Sequence, residues 1–266
     1  MSETDRSRET EDDTSTGLPQ RRTGHAFAHT PHRSDGRPPQ TPRGARQPDP
    51  GGRPGTIPPV PGRPAILLLV GLCPLLFALI TWQVLVTGPL LTPDRALSRA
   101  LVRAVPDAVT EALADLGNVP VALPVLLVAI AYALYRGDRR GPLAAAVAMA
   151  LVPALVIPLK EWTARPGPLE PWAAGYFPSG HTATALTAYA GAALLVAPYA
   201  RRHWPLPLAA VLTALTATGL VLRGFHWPLD VLASLLLCAP LLVCVHRAVA
   251  YGRPPRGAGR PGQPPK

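Results

Sequence analysis

Six long apolar runs constrain the fold of this chain more than any other feature. They cover Ala65–Val86, Val119–Tyr135, Pro142–Leu159, Thr182–Tyr199, Leu206–Leu222 and Leu229–Val245. Each is close to the roughly 20 residues that an α-helix needs to cross the hydrocarbon core of a membrane. Charged residues avoid their interiors, and none shows the alternation of a β-strand. The sequence predicts an all-α integral membrane bundle of six transmembrane helices.

Both ends of the chain have a different composition. Residues 1–62 and 249–266 are rich in Pro, Gly and Arg and contain no long apolar run. Such segments bury too little apolar surface to offset their conformational entropy. We therefore expect disordered tails at 1–62 and 249–266, flanking a six-helix membrane domain at 63–248.

The charge content excludes several classes of protein. The net charge is +10, but only 16% of the residues are charged, against about 25% in a typical soluble domain. The basic residues are spread over tails and short connections, so no nucleic-acid partner is expected. All three Cys lie inside apolar runs, which argues against a disulfide scaffold or a zinc site. No cofactor is expected.

Basic residues in the short connections predict the orientation in the cell membrane. Connections 136–140 and 201–202 carry several Arg, as do both tails. Lys and Arg are enriched in cytoplasmic loops, so both termini are expected to be cytoplasmic. Segment 94–116 then lies on the opposite side, where its apolar spacing predicts one or two amphipathic helices on the outer membrane face.

Polar groups cluster at the outer ends of four of the predicted helices. They are Lys160 and Arg165 after the third run, Ser179, Gly180 and His181 at the fourth, and Arg223, His226 and Asp230 between the fifth and sixth. The three basic side chains offer positive charge and many N–H donors. Ser179 and Gly180 open a helix whose first N–H groups are unpaired. This combination favours a tetrahedral oxyanion such as phosphate.

The two histidines in these clusters suggest a reaction. His226 and Asp230 are four residues apart, so one helical turn brings the carboxylate to the imidazole. That contact leaves the other nitrogen of His226 free as a nucleophile, and His181 can act as the general acid. The neighbouring basic groups disfavour a metal site. Taken singly, a histidine at a membrane boundary is more often an interfacial residue, and Ser179 could simply cap a helix.

These residues resemble the motifs of the type 2 phosphatidic acid phosphatase family. Pro178-Ser179-Gly180-His181 matches the family's second motif, His226 and Asp230 match the end of the third, and Lys160 matches the start of the first. The resemblance implies that the protein removes phosphate from a lipid phosphate or diphosphate. It also implies that His226 is the nucleophile, His181 the acid and Asp230 the orienting partner.

Two arginines depart from the family pattern. The first motif has Arg-Pro where this chain has Gly167-Pro168, and its nearest Arg is Arg165. The third motif has Ser-Arg where this chain has Gly219-Leu220, and the nearest Arg is Arg223. We expect Arg165 and Arg223 to substitute for the displaced pair as phosphate-binding residues.

Three functions follow from these patterns. The first is a metal-independent membrane lipid phosphatase with an extracytoplasmic site and a phosphohistidine intermediate. Its candidate substrates are phosphatidic acid, phosphatidylglycerol phosphate and a polyprenyl diphosphate such as undecaprenyl diphosphate. The second is a non-catalytic homologue that binds anionic lipid phosphates. A transporter is disfavoured because charges avoid the middle of every predicted helix.

Overall fold

The computed structural model describes residues 63–251, and these residues form eight α-helices without a β-strand. The helices are α1 (Arg63–Leu85), α2 (Leu91–Leu101), α3 (Asp107–Asp115), α4 (Val119–Tyr135), α5 (Arg140–Thr163), α6 (Gly180–Val196), α7 (Pro205–Arg223) and α8 (Pro228–Tyr251). The all-α prediction is confirmed. The N-terminal tail predicted at 1–62 lies outside the described residues, as does 252–266. Residues 249–251, assigned to the C-terminal tail, continue α8 because Val249 packs into the buried core.

All six apolar runs are helical, in α1 and in α4 to α8. Four stretches of the described residues are long and apolar enough to cross a membrane by length and composition. They are Asp107–Tyr135, Arg140–Thr163, Pro205–Arg223 and Pro228–Tyr251. The apolar part of α1, Leu69–Leu85, is shorter, and α6 has 17 residues. These features are those of a multi-pass membrane protein.

Helix α6 occupies the centre of the bundle and packs against α4, α5, α7 and α8. Its buried positions are mostly Ala, Gly and Thr, and small side chains let neighbouring helix backbones approach closely. Ala185, Ala188 and Ala192 of α6 share one buried cluster with Ala122 of α4 and Ala148 of α5. This central position holds the first turn of α6 against the ends of its neighbours.

The segment predicted to be amphipathic forms two helices, α2 and α3, and Pro106 immediately precedes α3. Helix α3 packs closely against α7. At Gly219 of α7, an added Cβ atom would lie 2.6 Å from the backbone nitrogen of Ala114. Only a glycine permits this approach without a shift of α3. The packing fixes the connection between α3 and α4, which contains Asn118.

Candidate active site

The starts of α6 and α8 are joined directly by hydrogen bonds. The backbone N–H of Ser179 donates to the carbonyl oxygen of Asp230 at 3.2 Å. The hydroxyl of Ser234 donates to the carbonyl oxygens of Ser179 (2.7 Å) and Asp230 (2.9 Å). Both helix N-termini therefore face one site, and the predicted second and third motifs lie side by side.

The two predicted catalytic histidines lie next to each other. The ring centroids of His181 and His226 are 6.4 Å apart. The Nδ1 atom of His226 lies 3.4 Å from Oδ2 of Asp230, slightly longer than a strong hydrogen bond. Catalytic contacts are often loose before substrate binds. The contact orients Nε2 of His226 away from Asp230.

Asp230 is completely buried and is held by three different groups. Its Oδ2 atom accepts the backbone N–H of Trp227 at 3.0 Å as well as facing His226. Its Oδ1 atom accepts from Arg165 at 2.5 Å. Buried carboxylates are stable only when they are hydrogen-bonded or paired with a cation. The carboxylate of Asp230 is thus held in position through both of its oxygen atoms.

His181 has a partner that sequence reasoning did not identify. Its Nε2 atom lies 2.7 Å from Oδ1 of Asn118, and the amide nitrogen of Asn118 donates to Asp115 at 2.7 Å. Asn118 precedes α4 at a capping position, yet its side chain does not cap that helix. The only sequence signal is an Asn before an apolar run, which ordinarily predicts a helix cap.

The start of α6 and the end of α5 bring together Lys160, Ser179 and Gly180, which we call the anion cradle because these residues are predicted to bind phosphate. Ser179 caps α6 by accepting the N–H of Thr182 at 3.3 Å. The ammonium group of Lys160 donates to the carbonyl oxygen of Gly175 at 2.7 Å. A Cβ atom on Gly180 would meet nothing closer than 3.9 Å. The backbone at Gly180 therefore faces open space beside a cation.

Arg165 lies at the edge of this site with both terminal nitrogens paired. One nitrogen donates to Asp230 and the other to Asp94, each at 2.5 Å. The guanidinium also lies 5.3 Å from the ring centroid of Trp227. Phosphate binding by Arg165 stays a prediction, and its partners in the structure are carboxylates.

Asp94 is the second residue that the sequence did not single out. It lies on α2 and is buried, and it accepts the backbone N–H of Leu229 at 2.8 Å. Burial raises the pKa of Asp94, whereas Arg165 and the Leu229 N–H act in the opposite direction. In the sequence it is one of several acidic residues in the outer segment, with no local pattern that marks it.

Arg223 ends α7 and reaches toward α3. One of its terminal nitrogens lies 3.2 Å from Oδ2 of Asp107, and its guanidinium is 5.3 Å from the Phe225 ring centroid. Within residues 63–251, its buried Nε atom has no hydrogen-bond partner. An unpaired buried donor of this kind is costly, and an anion could satisfy it.

A cavity of about 610 Å³ leads to the anion cradle from between α4, α5 and α6. Most of its lining is apolar, including Leu123, Leu127 and Ile157. Lys160, Gly180 and His181 lie among its polar lining residues, together with Asn118. The cavity thus combines a long apolar wall with a cationic, histidine-bearing end.

Tyr176 lies on the other side of His226. Its ring centroid is 5.8 Å from that of His226, in an edge-on arrangement, and its hydroxyl donates to Glu170 at 2.5 Å. Burial, with the Glu170 carboxylate, raises the pKa of Tyr176 to about 12. The phenol therefore stays protonated at neutral pH.

Two comparisons with known proteins found a match. The family model of the PAP2 superfamily matches residues 141–254, which include α5 except its first residue, all of α6 to α8 and all of the predicted site residues. Among solved structures, the chain resembles the first transmembrane PAP2 type phosphatidylglycerolphosphate phosphatase from Bacillus subtilis, with a TM-score of 0.60 and 24% identity. The match covers 67% of this chain and 94% of that one. No curated protein matched the chain. The family match over residues 141–254 and the shared fold confirm the resemblance to the type 2 phosphatidic acid phosphatase family that the motifs indicate.

Proposed function

We propose that this protein is a membrane lipid phosphatase that works through a phosphohistidine intermediate. The observation that carries the proposal is the adjacent pair of His181 and His226 beside an apolar cavity of about 610 Å³. The cavity wall suits acyl or prenyl chains, and the anion cradle suits a phosphate. A soluble phosphate ester would make no use of the apolar wall.

The proposed reaction uses the two histidines in turn. The Nε2 lone pair of His226 forms a bond to phosphorus while the bond from phosphorus to the lipid oxygen breaks. His181 donates a proton to that leaving oxygen. Water then attacks the phosphohistidine, His181 accepts a proton from this water, and the P–N bond breaks. Inorganic phosphate leaves, and both histidines return to their starting state.

The surrounding residues assign one task to each nitrogen. Asp230 faces Nδ1 of His226 and stabilises the positive charge that develops on the ring during attack, as carboxylates do in comparable dyads. An amide oxygen can only accept, so the contact with Asn118 places a proton on Nε2 of His181. The Nδ1 atom of His181 is then the one that serves the leaving oxygen. No step in this scheme requires a metal ion.

Phosphate contacts come from the anion cradle and from Arg223. The N–H groups of the first turn of α6 point toward the site with the positive end of the helix dipole. Lys160 adds a charge at the end of α5. The Nε atom of Arg223, which has no partner among residues 63–251, supplies a further donor. Together these groups would stabilise the charge on the phosphoryl oxygens in the transition state.

The substrate class is a lipid with a terminal phosphate or diphosphate. The matched solved structure is described as a phosphatidylglycerolphosphate phosphatase, which supports phosphatidylglycerol phosphate as the first candidate. Phosphatidic acid and polyprenyl diphosphates such as undecaprenyl diphosphate have the same terminal group and remain candidates. We propose six spans, formed by α1 and α4 to α8, with cytoplasmic termini and an extracytoplasmic site, from the Arg-rich connections 136–140 and 201–202.

Phosphate release from defined lipids by the purified full chain in detergent micelles tests the proposal. Wild type is compared with His226→Ala and with a matched control, His203→Ala, because His203 is exposed in the connection between α6 and α7. We expect release by wild type and the control, inhibition by vanadate, and loss in His226→Ala. Equal release by wild type and His226→Ala would refute the mechanism.

A non-catalytic lipid-binding homologue is the second candidate. The observation that favours it is the pairing of Arg165 with two carboxylates, which occupies one of the arginines expected to bind phosphate. It predicts that wild type binds vesicles containing phosphatidic acid without releasing phosphate. The same assay, with lipid binding measured in parallel, distinguishes the two functions.

A further inference from the structure

Arg165 lies in a buried charge network that connects three separate parts of the chain. Only 5% of its surface is exposed. Its two terminal nitrogens bind Asp94 from α2 and Asp230 from α8, each at 2.5 Å. Arg165 itself belongs to the connection after α5. The planar fork of a guanidinium holds two carboxylates in fixed directions, whereas the donors of an ammonium group rotate and fix no such geometry.

Asp94 does more than balance the charge of Arg165. Its second oxygen accepts the backbone N–H of Leu229, in the first turn of α8, at 2.8 Å. That turn also contains Asp230. Asp94 therefore holds the start of α8 twice, once through the backbone and once through Arg165, and it is itself 4% exposed.

The network determines how Asp230 faces the nucleophile. Arg165 binds Oδ1, so Oδ2 is left for Nδ1 of His226 and the backbone N–H of Trp227. If Arg165 were removed, the carboxylate would lose its strongest partner and could rotate away from the histidine. Two carboxylates would also remain buried without the cation that pairs them, which is unfavourable.

The same contacts leave little room for phosphate on Arg165. A phosphate bound to Arg165 would lie close to two buried carboxylates, and both would repel it. Arg223 differs because its Nε atom is buried and unpaired within the described part of the chain. The two displaced arginines therefore have different surroundings.

We propose that Arg165 and Asp94 are positioning residues, which hold the Asp230–His226 pair in its reactive geometry, and that Arg165 is not a phosphate ligand. This inference rests on the proposed phosphatase function. It assigns a catalytic purpose to α2, which the motifs do not include. The inference also makes different predictions for turnover and for phosphate affinity. Loss of a positioning residue lowers turnover alone, whereas loss of a phosphate ligand lowers both turnover and phosphate affinity.

The test compares turnover and phosphate affinity in matched variants of the full chain. Arg165→Lys keeps the charge but loses the two-pronged contact, and Asp94→Asn keeps an acceptor for Leu229 while removing the charge. For both we expect kcat to fall about tenfold to a hundredfold, with the inhibition constants of inorganic phosphate and vanadate within about twofold of wild type. Arg223→Lys should weaken both inhibition constants, and Arg99→Lys, a control on the exposed face of α2, should change neither quantity.

Folding of each variant is checked by its melting temperature in the same micelles. If Arg165→Lys proves unstable, Asp94→Asn gives the same comparison, and added guanidinium ion should restore part of the kcat of Arg165→Ala. A weakened phosphate inhibition constant in Arg165→Lys, or an unchanged kcat in Asp94→Asn, overturns the inference. Failure of the proposed function gives a different result, because wild type itself would then release no phosphate.

Discussion

The packing of α3 against α7 at Gly219 leads to a quantitative prediction about stability. A Cβ atom at this position would lie 2.6 Å from the Ala114 nitrogen and 2.6 Å from Leu113 Cβ, whereas ordinary contacts of this kind are at 3.4–4 Å. Because one of the atoms belongs to the backbone, α3 itself must move by nearly 1 Å. Overpacking of this degree costs about 1–3 kcal/mol.

A second glycine provides the control. At Gly71 of α1, an added Cβ atom would meet nothing within 4 Å, so Gly71→Ala should show only the helix-propensity gain of roughly 0.5–1 kcal/mol. Gly219→Ala receives the same gain but adds the overpacking cost. The difference between the two variants therefore isolates the contact, at about 1–3 kcal/mol.

Thermal unfolding in detergent micelles, followed by Trp fluorescence, measures this difference. For a folded region of this size, 1 kcal/mol corresponds to roughly 2–4 °C, so Gly219→Ala should melt roughly 2–12 °C below Gly71→Ala. Gly219→Ser, which restores the family residue, should be no more stable than Gly219→Ala. Equal melting temperatures for Gly219→Ala and Gly71→Ala would refute the close approach of α3 to α7.

Three further predictions concern the site. Gly180→Ala should have the melting temperature of wild type, because an added Cβ atom would have no neighbour closer than 3.9 Å. It should weaken inhibition by phosphate severalfold, because the methyl group fills the anion cradle. An unchanged inhibition constant would show that phosphate does not bind there. Asn118→Ala should lower kcat about tenfold to a hundredfold, since it removes the acceptor that orients His181, and a kcat within about twofold of wild type would contradict that role. Tyr176→Phe should leave the pH profile of kcat/KM unchanged from pH 5 to 9, because a phenol with a pKa of about 12 does not titrate there. If one limb of the pH profile of kcat/KM disappeared in Tyr176→Phe, the phenol of Tyr176 would take part in the reaction.

Local patterns in the sequence predict the helices and the core of the site. The apolar runs become α1 and α4 to α8 with small changes at their ends. His226 lies in the connection just before α8 and Asp230 in the first turn of that helix, so their contact depends only on the short chain between them. His181 lies beside them because α6 and α8 are packed together and joined by Ser234. Sequence spacing and helix packing are therefore sufficient to predict that these three residues lie together.

Contacts between distant segments were beyond sequence reasoning. Asp94 and Arg165 are 71 positions apart, and Asn118 and His181 are 63 positions apart. Each pair depends on how the connections after α5 and α3 return over the bundle, which hydrophobic spacing does not specify. The sequence predicts phosphate binding by Arg165 from its charge alone, whereas its pairing with Asp94 and Asp230 depends on these long-range contacts.

If α6 spans the membrane, as the proposed six-span topology requires, its central position affects how bilayer thickness constrains this protein. A helix of 17 residues rises about 25 Å at 1.5 Å per residue, less than the roughly 30 Å of hydrocarbon in a typical bilayer. Hydrophobic mismatch penalises a helix only where lipid touches it, and α6 is surrounded by α4, α5, α7 and α8. Its length is therefore set by its protein neighbours, and its first turn can lie below the level of the lipid headgroups. A phosphate bound there would be reached from within the bilayer rather than from open water.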